Sequence, residues 1–163
     1  MALPSVLVTD TNIWIDLENG GILAEVFHLP YQFITSDFAI PELVRPGWQT
    51  LHALGLEARE LDPEPILELF ELRQVIKNLS ITDLAAFLLA KIIQSTLVTG
   101  DRRLIELAKA NSMSVHGVLW LLDEMVHYQA ITPGQAANAL GRILDRGARL
   151  PADECRKRLV RWS

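Results

Sequence analysis

The fold is decided by the stretch SVLVTDTNIWIDL, which occupies residues 5–17. Residues 5–9 form a short apolar run with β-branched members, which predicts a β-strand. Asp10 ends that run, and from Thr11 onward the apolar residues recur at a spacing typical of a helix. The stretch therefore predicts a strand, a tight turn at Asp10 and a helix, in that order.

The same alternation of strand and helix continues through the middle of the chain. Further strands are expected at residues 33–36, 57–61, 96–99 and 113–116, and helices from near residue 40 and over residues 62–78, 81–95 and 102–111. Alternating elements of these lengths predict parallel βαβ units with helices on both faces of the sheet. We therefore expect an α/β fold of the three-layer α/β/α type.

Beyond Gly117 the pattern becomes helical. One helix is expected over residues 118–129, and a second opens at Thr132, where Pro133 at the first helical position and Gln135 at the third form a capping signal. No repeat or long linker marks a second domain. We predict an α/β domain over residues 1–117 and a helical extension over residues 118–163 that packs on the same domain.

Length and composition are typical of a soluble globular protein. The chain has 163 residues, of which 50% are hydrophobic and 21% charged, enough for one domain with a real core. Its longest apolar run, residues 84–90, falls short of the ~20 residues that a membrane-spanning helix needs. The amino end carries no secretion signal and the single Cys155 cannot form an internal disulfide, so we expect a cytoplasmic protein with no membrane contact.

Charge is unevenly distributed along the chain. The net charge is −5, but residues 142–163 hold seven of the 15 Lys and Arg residues against three acids, so the tail is basic and the body acidic. An acidic body argues weakly against nonspecific coating of nucleic acid. It still permits action on nucleic acid if the carboxylates converge on divalent cations, because the ions reverse the sign of the local field.

Four acids stand where functional groups gather in a parallel sheet. Asp10 follows the first strand and Asp101 the strand at 96–99, while Asp83 opens the helix that leads into that strand. Glu42 is expected in the first turn of the helix after the second strand. Because active crevices form outside the carboxyl ends of parallel strands, these carboxylates meet at one edge if their strands are neighbours.

Converging carboxylates repel one another unless a cation or a raised pKa compensates them. Hard oxygen ligands without a His or Cys cluster favour Mg²⁺ or Mn²⁺, which could activate a water and neutralise charge on a phosphate during hydrolysis. Thr11, Asn12 and Thr99 lie beside the acids and could orient the carboxylates or a bound water. The pattern thus indicates metal-dependent hydrolysis of phosphodiester bonds.

Each acid taken alone also has a purely structural explanation. Asp83 could stabilise a helix N-terminus, and Glu42 lies near a helix start between two prolines. Asp10 and Asp101 could simply form turns, since Asp commonly follows a strand. The joint arrangement favours a site, because a scaffold has no need to assemble repelling carboxylates.

In motif order the chain resembles the PIN-domain nucleases, especially the toxin ribonucleases of toxin–antitoxin pairs known as VapC. The motifs that carry the resemblance are VTDTNIWIDL (8–17), PEL (41–43), ITDLA (81–85) and VTGDRRL (98–104), and the match spans about residues 5–117. Each segment alone is a weak signal. Four of them in the right order, on compatible elements, make a fairly specific one.

The resemblance implies a five-stranded parallel sheet and endonucleolytic cleavage of RNA. It implies that Mg²⁺ or Mn²⁺ is bound by Asp10, Glu42, Asp83 and Asp101, which would form the catalytic set. It also implies a homodimer and, for the toxin branch, a cognate antitoxin whose basic or aromatic segment occupies the groove.

Several basic residues are candidates for binding RNA. The candidates are Arg102 and Arg103 after the fourth acid and, in the extension, Arg142, Arg146, Arg149, Arg156, Lys157, Arg158 and Arg161. A basic helical face attracts phosphate, although it is also typical of a solvated helix or a subunit interface. Trp14 is expected in the core, while Trp48, Trp120 and Trp162 could serve the core, an interface or base stacking.

Two other functions remain open from the sequence. The chain could be a non-catalytic, PIN-like module that binds a protein partner through its surface, for example through the helix around residues 120–128. It could also be a nuclease of similar metal chemistry that acts on DNA, because no sequence feature is specific for a 2′-hydroxyl.

Overall fold

The computed structural model describes residues 5–163 and is built around a parallel sheet. Its strands are β1 (Ser5–Thr9), β2 (Tyr31–Ser36), β3 (Glu57–Arg59), β4 (Thr96–Val98) and β5 (Val115–His116). They form a five-stranded sheet in the order β3-β2-β1-β4-β5, and every neighbouring pair is parallel. The predicted parallel sheet is confirmed. Residues 1–4 of the predicted domain lie outside the described residues.

Helices connect the strands and continue beyond the last of them. They are α1 (Thr11–Asn19), α2 (Leu23–Val26), α3 (Trp48–Leu54), α4 (Pro63–Val75), α5 (Ile81–Ile92), α6 (Arg102–Ala110), α7 (Val118–His127), α8 (Pro133–Asp145) and α9 (Ala152–Arg161), with a 3₁₀ helix at Asp37–Glu42. Among the helices of residues 5–163, none combines the length and hydrophobicity needed to cross a membrane.

Alternation along the strands divides the core into two layers. Leu7 and Phe33 point to one face of the sheet, where they pack with α1, α2, α3, α7, α8 and α9. Val8 and Ile34 point to the other face, where they pack with α4, α5 and α6. Because successive residues of a strand face opposite sides, both layers bury apolar side chains of the same strands. The three-layer α/β/α architecture is confirmed.

The helical extension shares the first of these two cores. Leu121, Leu140, Cys155 and Trp162 lie in the same buried cluster as Trp14, which is fully buried as expected. The extension therefore packs against the sheet layer rather than standing apart from it. The boundary between residues 117 and 118 stays a prediction.

The segment after β2 differs from the expectation. A helix was predicted to start near Ile40 with Glu42 in its first turn, but a 3₁₀ helix spans Asp37–Glu42 and ends at Glu42. Pro41 and Pro46 explain the difference, because a proline has no N–H to donate and disfavours helix in the residue before it. The next α-helix, α3, begins only at Trp48.

Most other differences concern the ends of elements. The third predicted strand ends at Arg59 instead of residue 61, and the fifth begins at Val115 instead of residue 113. The helix predicted over 62–78 ends at Val75 and the one predicted over 81–95 at Ile92. The short helix α2 was not predicted at all. Its four residues are too few to show a helical period.

Candidate active site

The candidate site lies at the carboxyl edge of the sheet, where β1 and β4 run side by side. Thr9 pairs with Val98, so Asp10 and Thr99 stand at the same level, just beyond the paired residues. The order of strands reverses around β1, which has β2 on one side and β4 on the other. A crevice forms at such a switch point in open parallel sheets, and ligands bind there.

Asp10 occupies the centre of this edge and is only 3% exposed. It is the N-cap of α1, where its Oδ1 accepts a hydrogen bond from the backbone N–H of Thr11 at 2.7 Å. Its Oδ2 accepts a hydrogen bond from the Thr99 hydroxyl at 2.9 Å. The turn-forming role and a role in a site therefore coexist in one carboxylate.

Thr99 connects two of the predicted acids. Its fully buried hydroxyl donates to Asp10 and accepts from the backbone N–H of Asp101 at 3.1 Å. Its own backbone N–H donates to the carbonyl of His116 on β5 at 2.9 Å. Because a hydroxyl offers one donor and two acceptor sites, it can bind the Asp10 carboxylate and the Asp101 backbone N–H at once. Thr99 thereby fixes the Asp10 carboxylate relative to the start of α6.

Asp101 and Asp83 each cap a helix with one carboxylate oxygen. Oδ1 of Asp101 accepts hydrogen bonds from the backbone N–H groups of Arg103 at 2.9 Å and Leu104 at 3.2 Å. Asp83 and Ser80 form a capping box at the start of α5, in which each side chain accepts from the other's backbone N–H at 3.0 Å. The other oxygen of each carboxylate receives no hydrogen bond from residues 5–163.

Electrostatic interactions join three of the acids. The pKa of Asp10 is raised from its ordinary 3.8 to about 6, mainly by burial and also by the negative charges of Asp83 and Asp101. The hydrogen bonds from Thr99 and Thr11 act in the opposite direction. Two nearby negative charges disfavour the ionised form of a buried carboxylate, and a bound cation would offset this repulsion. Asp10, Asp83 and Asp101 therefore form one coupled group.

The structure does not bring Glu42 into this coupled group. Glu42 is exposed at the end of its 3₁₀ helix, and its charge is not among those that act on the pKa of Asp10. Thr11 is buried beside Asp10, and its Oγ1 finds no hydrogen-bond partner in the described part of the chain. Asn12 is exposed and lines a cleft beside the same turn.

The donor set suits a divalent cation in its chemistry. The donors are the three coupled carboxylates and the buried hydroxyl of Thr11, which has no hydrogen-bond partner among the residues that the structure describes. All are hard oxygen ligands, and Mg²⁺ and Mn²⁺ prefer such ligands to nitrogen or sulfur. Within residues 5–163, no three acidic, His or Cys side chains are already drawn around one point that could hold an ion. The fit thus rests on the kind, charge and coupling of the donors.

The arginines after the fourth acid lie on the surface. Arg102 is exposed and makes an ion pair with Glu106, one turn further along α6. Arg103 is also exposed and donates a hydrogen bond to the backbone carbonyl of Asn78. Neither of these contacts involves an acid of the coupled group.

The basic extension divides into two parts. Arg158 and Arg161 bind Asp123 on α7, Arg156 pairs with Asp153, and Lys157 with Glu154. These four basic side chains thus stand next to acids that neutralise them. Arg158 and Arg161 therefore fasten α9 to α7, whereas the exposed pairs of Arg156 and Lys157 lie within α9 itself.

The three earlier arginines of the extension lie in different places. Arg142 covers Gly21, which lies just beyond the C-terminal end of α1. Asp10 caps the other end of this nine-residue helix, which is about 13 Å long. Arg146 is exposed at the end of α8. Arg149 belongs to the loop between α8 and α9, and it lines a cleft together with Asn12 and Gly100. Of the three, Arg149 is the one that reaches the carboxyl edge.

Two acids near the site were given no role by the sequence. Asp16 lines the same cleft as Arg149, and burial raises the pKa of Asp16 to about 6. Asp37 directly follows β2, and its Oδ1 is buried without a hydrogen-bond partner among residues 5–163. The position of Asp37 after a strand was a usable signal. The burial of Asp16 depends on the packing of α1 and could not be deduced from the sequence.

Fold and site together define an α/β protein with an acidic centre at the switch point of its parallel sheet. Residues 6–163 match a family model described as a PIN domain, so the chain belongs to the PIN-domain family. The PIN domain is generally a nuclease fold, and its members usually use divalent metal ions. No curated protein matches the sequence.

A solved structure supports the fold. The chain is similar to a PilT N-terminus domain protein, SSO1118, from the hyperthermophilic archaeon Sulfolobus solfataricus P2, with a TM-score of 0.55 and 16% sequence identity. The similarity covers 74% of this chain and 93% of that chain. At this level of identity the likeness concerns the arrangement of elements and not the chemistry.

Proposed function

We propose that the protein is a metal-dependent endoribonuclease that hydrolyses phosphodiester bonds of RNA. The observation that carries the proposal is the coupling of Asp10 with Asp83 and Asp101 at the carboxyl edge, where Thr99 connects Asp10 to Asp101. An ordinary α/β scaffold gains nothing from a buried carboxylate whose pKa is raised by two like charges. Membership of a nuclease family supplies an independent reason for the same function.

The contacts of each residue indicate its role in metal binding or in positioning the carboxylates. Asp10, Asp83 and Asp101 would hold Mg²⁺ or Mn²⁺, which would neutralise charge on the scissile phosphate and lower the pKa of a water. Thr99 holds the Asp10 carboxylate through Oδ2 and favours its ionised form. The backbone N–H of Thr11 does the same through Oδ1. No side chain of the group has to form a covalent intermediate.

Glu42 enters the proposal through the resemblance alone. We propose it as the fourth ligand because it occupies the position of the family's second acid, although it is not coupled to Asp10. Glu42→Gln should weaken Mn²⁺ binding measured by calorimetry, whereas the exposed Glu64→Gln on α4 should leave it unchanged. Equal affinity in both variants would remove Glu42 from the ligand set.

The toxin role and the oligomeric state extend the proposal further. We propose that the protein is a homodimer and the toxin of a toxin–antitoxin pair, because its motifs most resemble that branch. A small open reading frame immediately upstream that encodes a DNA-binding amino end and a basic tail would support the pairing. Coexpression of that product should relieve growth arrest, and sedimentation equilibrium should report twice the chain mass.

The decisive experiment is a cleavage assay on mixed substrates. Wild type should cut structured RNAs with Mg²⁺ or Mn²⁺ and not with chelator, and Asp10→Asn should lose the activity. The exposed Asp62→Asn, which removes an acid that makes no cap bond, is the matched control and should retain it. Cleavage of single-stranded DNA instead would favour a DNA nuclease. A well-folded protein that cuts neither polymer would favour the non-catalytic binding module.

A further inference from the structure

A second groove lies directly beside the coupled acids. It has a volume of about 460 Å³ and is bounded by the turn at Thr99 and Gly100, the first turns of α6, the start of α7 and the loop between α8 and α9. We call it the α6–α9 groove. Thr99, which lines one wall of the groove, also donates the hydrogen bond that holds the Asp10 carboxylate. Anything bound in this groove is therefore a direct neighbour of the candidate site.

The chemistry of the α6–α9 groove is apolar inside and basic at its rim. Ile105, Leu119 and Leu150 contribute apolar surface to its wall, while Arg102 and Arg149 line it with exposed guanidinium groups. Arg102 makes only an exposed ion pair with its helical neighbour, and such pairs contribute little. Arg149 makes no ion pair within residues 5–163.

This combination matches one unit of a single-stranded nucleic acid. A nucleobase presents apolar faces that pack against apolar or guanidinium surfaces, and its backbone carries a phosphate on either side. A small-molecule site usually encloses about 300–1,000 Å³, so the groove is large enough for a base. An apolar peptide would offer neither rim arginine an anion, whereas the phosphates of RNA would bind both.

We propose that the α6–α9 groove binds one unpaired base of the RNA substrate, next to the bond that the acids cleave, and that Arg102 and Arg149 bind the adjoining phosphates. This inference rests on the proposed function, because it names how that substrate is held. It also gives the helical extension a role. The loop between α8 and α9 supplies one wall of the site, so the extension acts as a substrate-binding element.

The test measures RNA binding separately from cleavage. The Asp10→Asn protein is titrated against a fluorescent single-stranded RNA and against an abasic RNA of the same length, with Mg²⁺ present, and anisotropy reports both affinities. We expect the base-containing RNA to bind on the order of tenfold more tightly, since the contacts of a single base contribute an effect of about that size. Equal affinity for the two RNAs, or binding of neither by folded protein, would overturn the proposal.

A variant that fills the groove localises this preference. Ile105→Trp places a large side chain inside the groove, and we expect it to abolish the preference for the base-containing RNA. Ile92→Trp introduces the same side chain at the exposed end of α5 and should keep the preference. If the Ile105 variant binds both RNAs as the parent does, the base is held elsewhere and the groove assignment is wrong.

A surface pair tests the rim without disturbing the fold. Arg149→Ala should reduce the slope of log affinity against log salt concentration by about 0.7, the value for one phosphate contact on a single strand. Arg146→Ala, on the same loop but outside the groove, should leave the slope unchanged. Equal slopes would contradict the role of Arg149. If wild type cleaves RNA while the Ile105 and Arg149 variants bind like the parent, the groove proposal is wrong and the proposed enzyme function stands. If RNA binding depends on the groove but no RNA is cleaved, the proposed enzyme function is wrong and the groove proposal stands.

Discussion

The hydroxyl of Thr99 donates a hydrogen bond of 2.9 Å to Oδ2 of Asp10, across 89 positions of sequence. The bond favours the ionised carboxylate, so it offsets part of the rise in pKa that burial imposes on Asp10. The same hydroxyl accepts the backbone N–H of Asp101. Thr99 is therefore a positioning residue that acts on the site through two acids.

Replacing Thr99 should change the pH dependence of the site. Thr99→Val keeps the shape of the side chain but removes the hydroxyl, so the pKa of Asp10 should rise and the acidic limb of the cleavage profile should move to higher pH. The backbone N–H of Asp101 also loses its partner, which should cost about 1–3 kcal/mol of stability in urea unfolding. Thr99→Ser should restore both properties. An unshifted limb in a folded Val variant would exclude this role.

Ionised Asp10 should destabilise the metal-free protein. Its pKa of about 6 in the folded state lies above the ordinary 3.8, so the folded state binds the proton more tightly than the unfolded chain. The contribution of Asp10 to stability is therefore full below pH 3.8 and is lost as the pH rises through about 6. A shift of about two pKa units corresponds to up to about 3 kcal/mol.

The measurement is urea unfolding in the presence of chelator, at a series of pH values. Asp10→Asn should be more stable than wild type at neutral pH and lose that advantage in acid. Mn²⁺ should raise the melting temperature of wild type more than that of the variant, because a ligand stabilises the state that binds it. The exposed Asp62→Asn should follow wild type throughout. Parallel pH curves for Asp10→Asn and wild type would show that Asp10 ionises normally.

Asp83 has two roles that one substitution can separate. Asp83→Asn keeps an oxygen that can accept from the Ser80 N–H, so α5 should lose no more than about 1 kcal/mol. The loss of charge should nevertheless reduce cleavage by on the order of 100-fold if Asp83 holds a cation. Ser80→Ala should show the reverse, with about 1 kcal/mol less stability and near-normal cleavage. Near-normal cleavage by Asp83→Asn would leave Asp83 as a helix cap alone.

Local sequence patterns predicted the elements that depend on local interactions. The strand and helix around Asp10 followed from a change of apolar period, and the capping box at Thr132 and Gln135 followed from residue spacing. The segment before Glu42 was predicted wrongly because its prolines act on backbone hydrogen bonds that apolar spacing does not reveal.

The contacts that complete the site depend on tertiary packing. Thr99 could be proposed as a neighbour of the acids, but its bond to Asp10 requires the register between β1 and β4. Arg149 reaches the carboxyl edge only because α8 packs on α1 and turns its loop toward Gly100. No periodicity within the extension indicates which of its arginines arrives there. Sequence patterns therefore predicted the kinds of residue in the site, but they did not predict which of these residues contact one another.

The extension is held in place by an ion-pair cluster that invites a last prediction. Asp123 on α7 accepts from Arg158 at 2.7 Å and from Arg161 at 2.6 Å, and both Asp123 and Arg158 are largely buried. Removing one partner leaves the Arg158 charge partly buried and unpaired, which destabilises more than losing an exposed pair. Asp123→Ala should therefore reduce the free energy of unfolding by about 1–3 kcal/mol, less than for a fully buried pair because solvent screens the cluster.

The lone Cys155 reports whether this loss is local to α9. It is buried on that helix, and burial raises the pKa of its thiol, so it should react slowly with a thiol reagent in wild type. Asp123→Ala should speed its labelling under native conditions, because α9 loses a contact that fastens it to α7. Asp153→Ala, which removes an exposed pair with Arg156 and a first-turn acid of α9 but no contact to α7, should label nearly like wild type. Labelling that is equally slow in both variants would mean that apolar packing of Cys155 and Trp162 alone holds the helix.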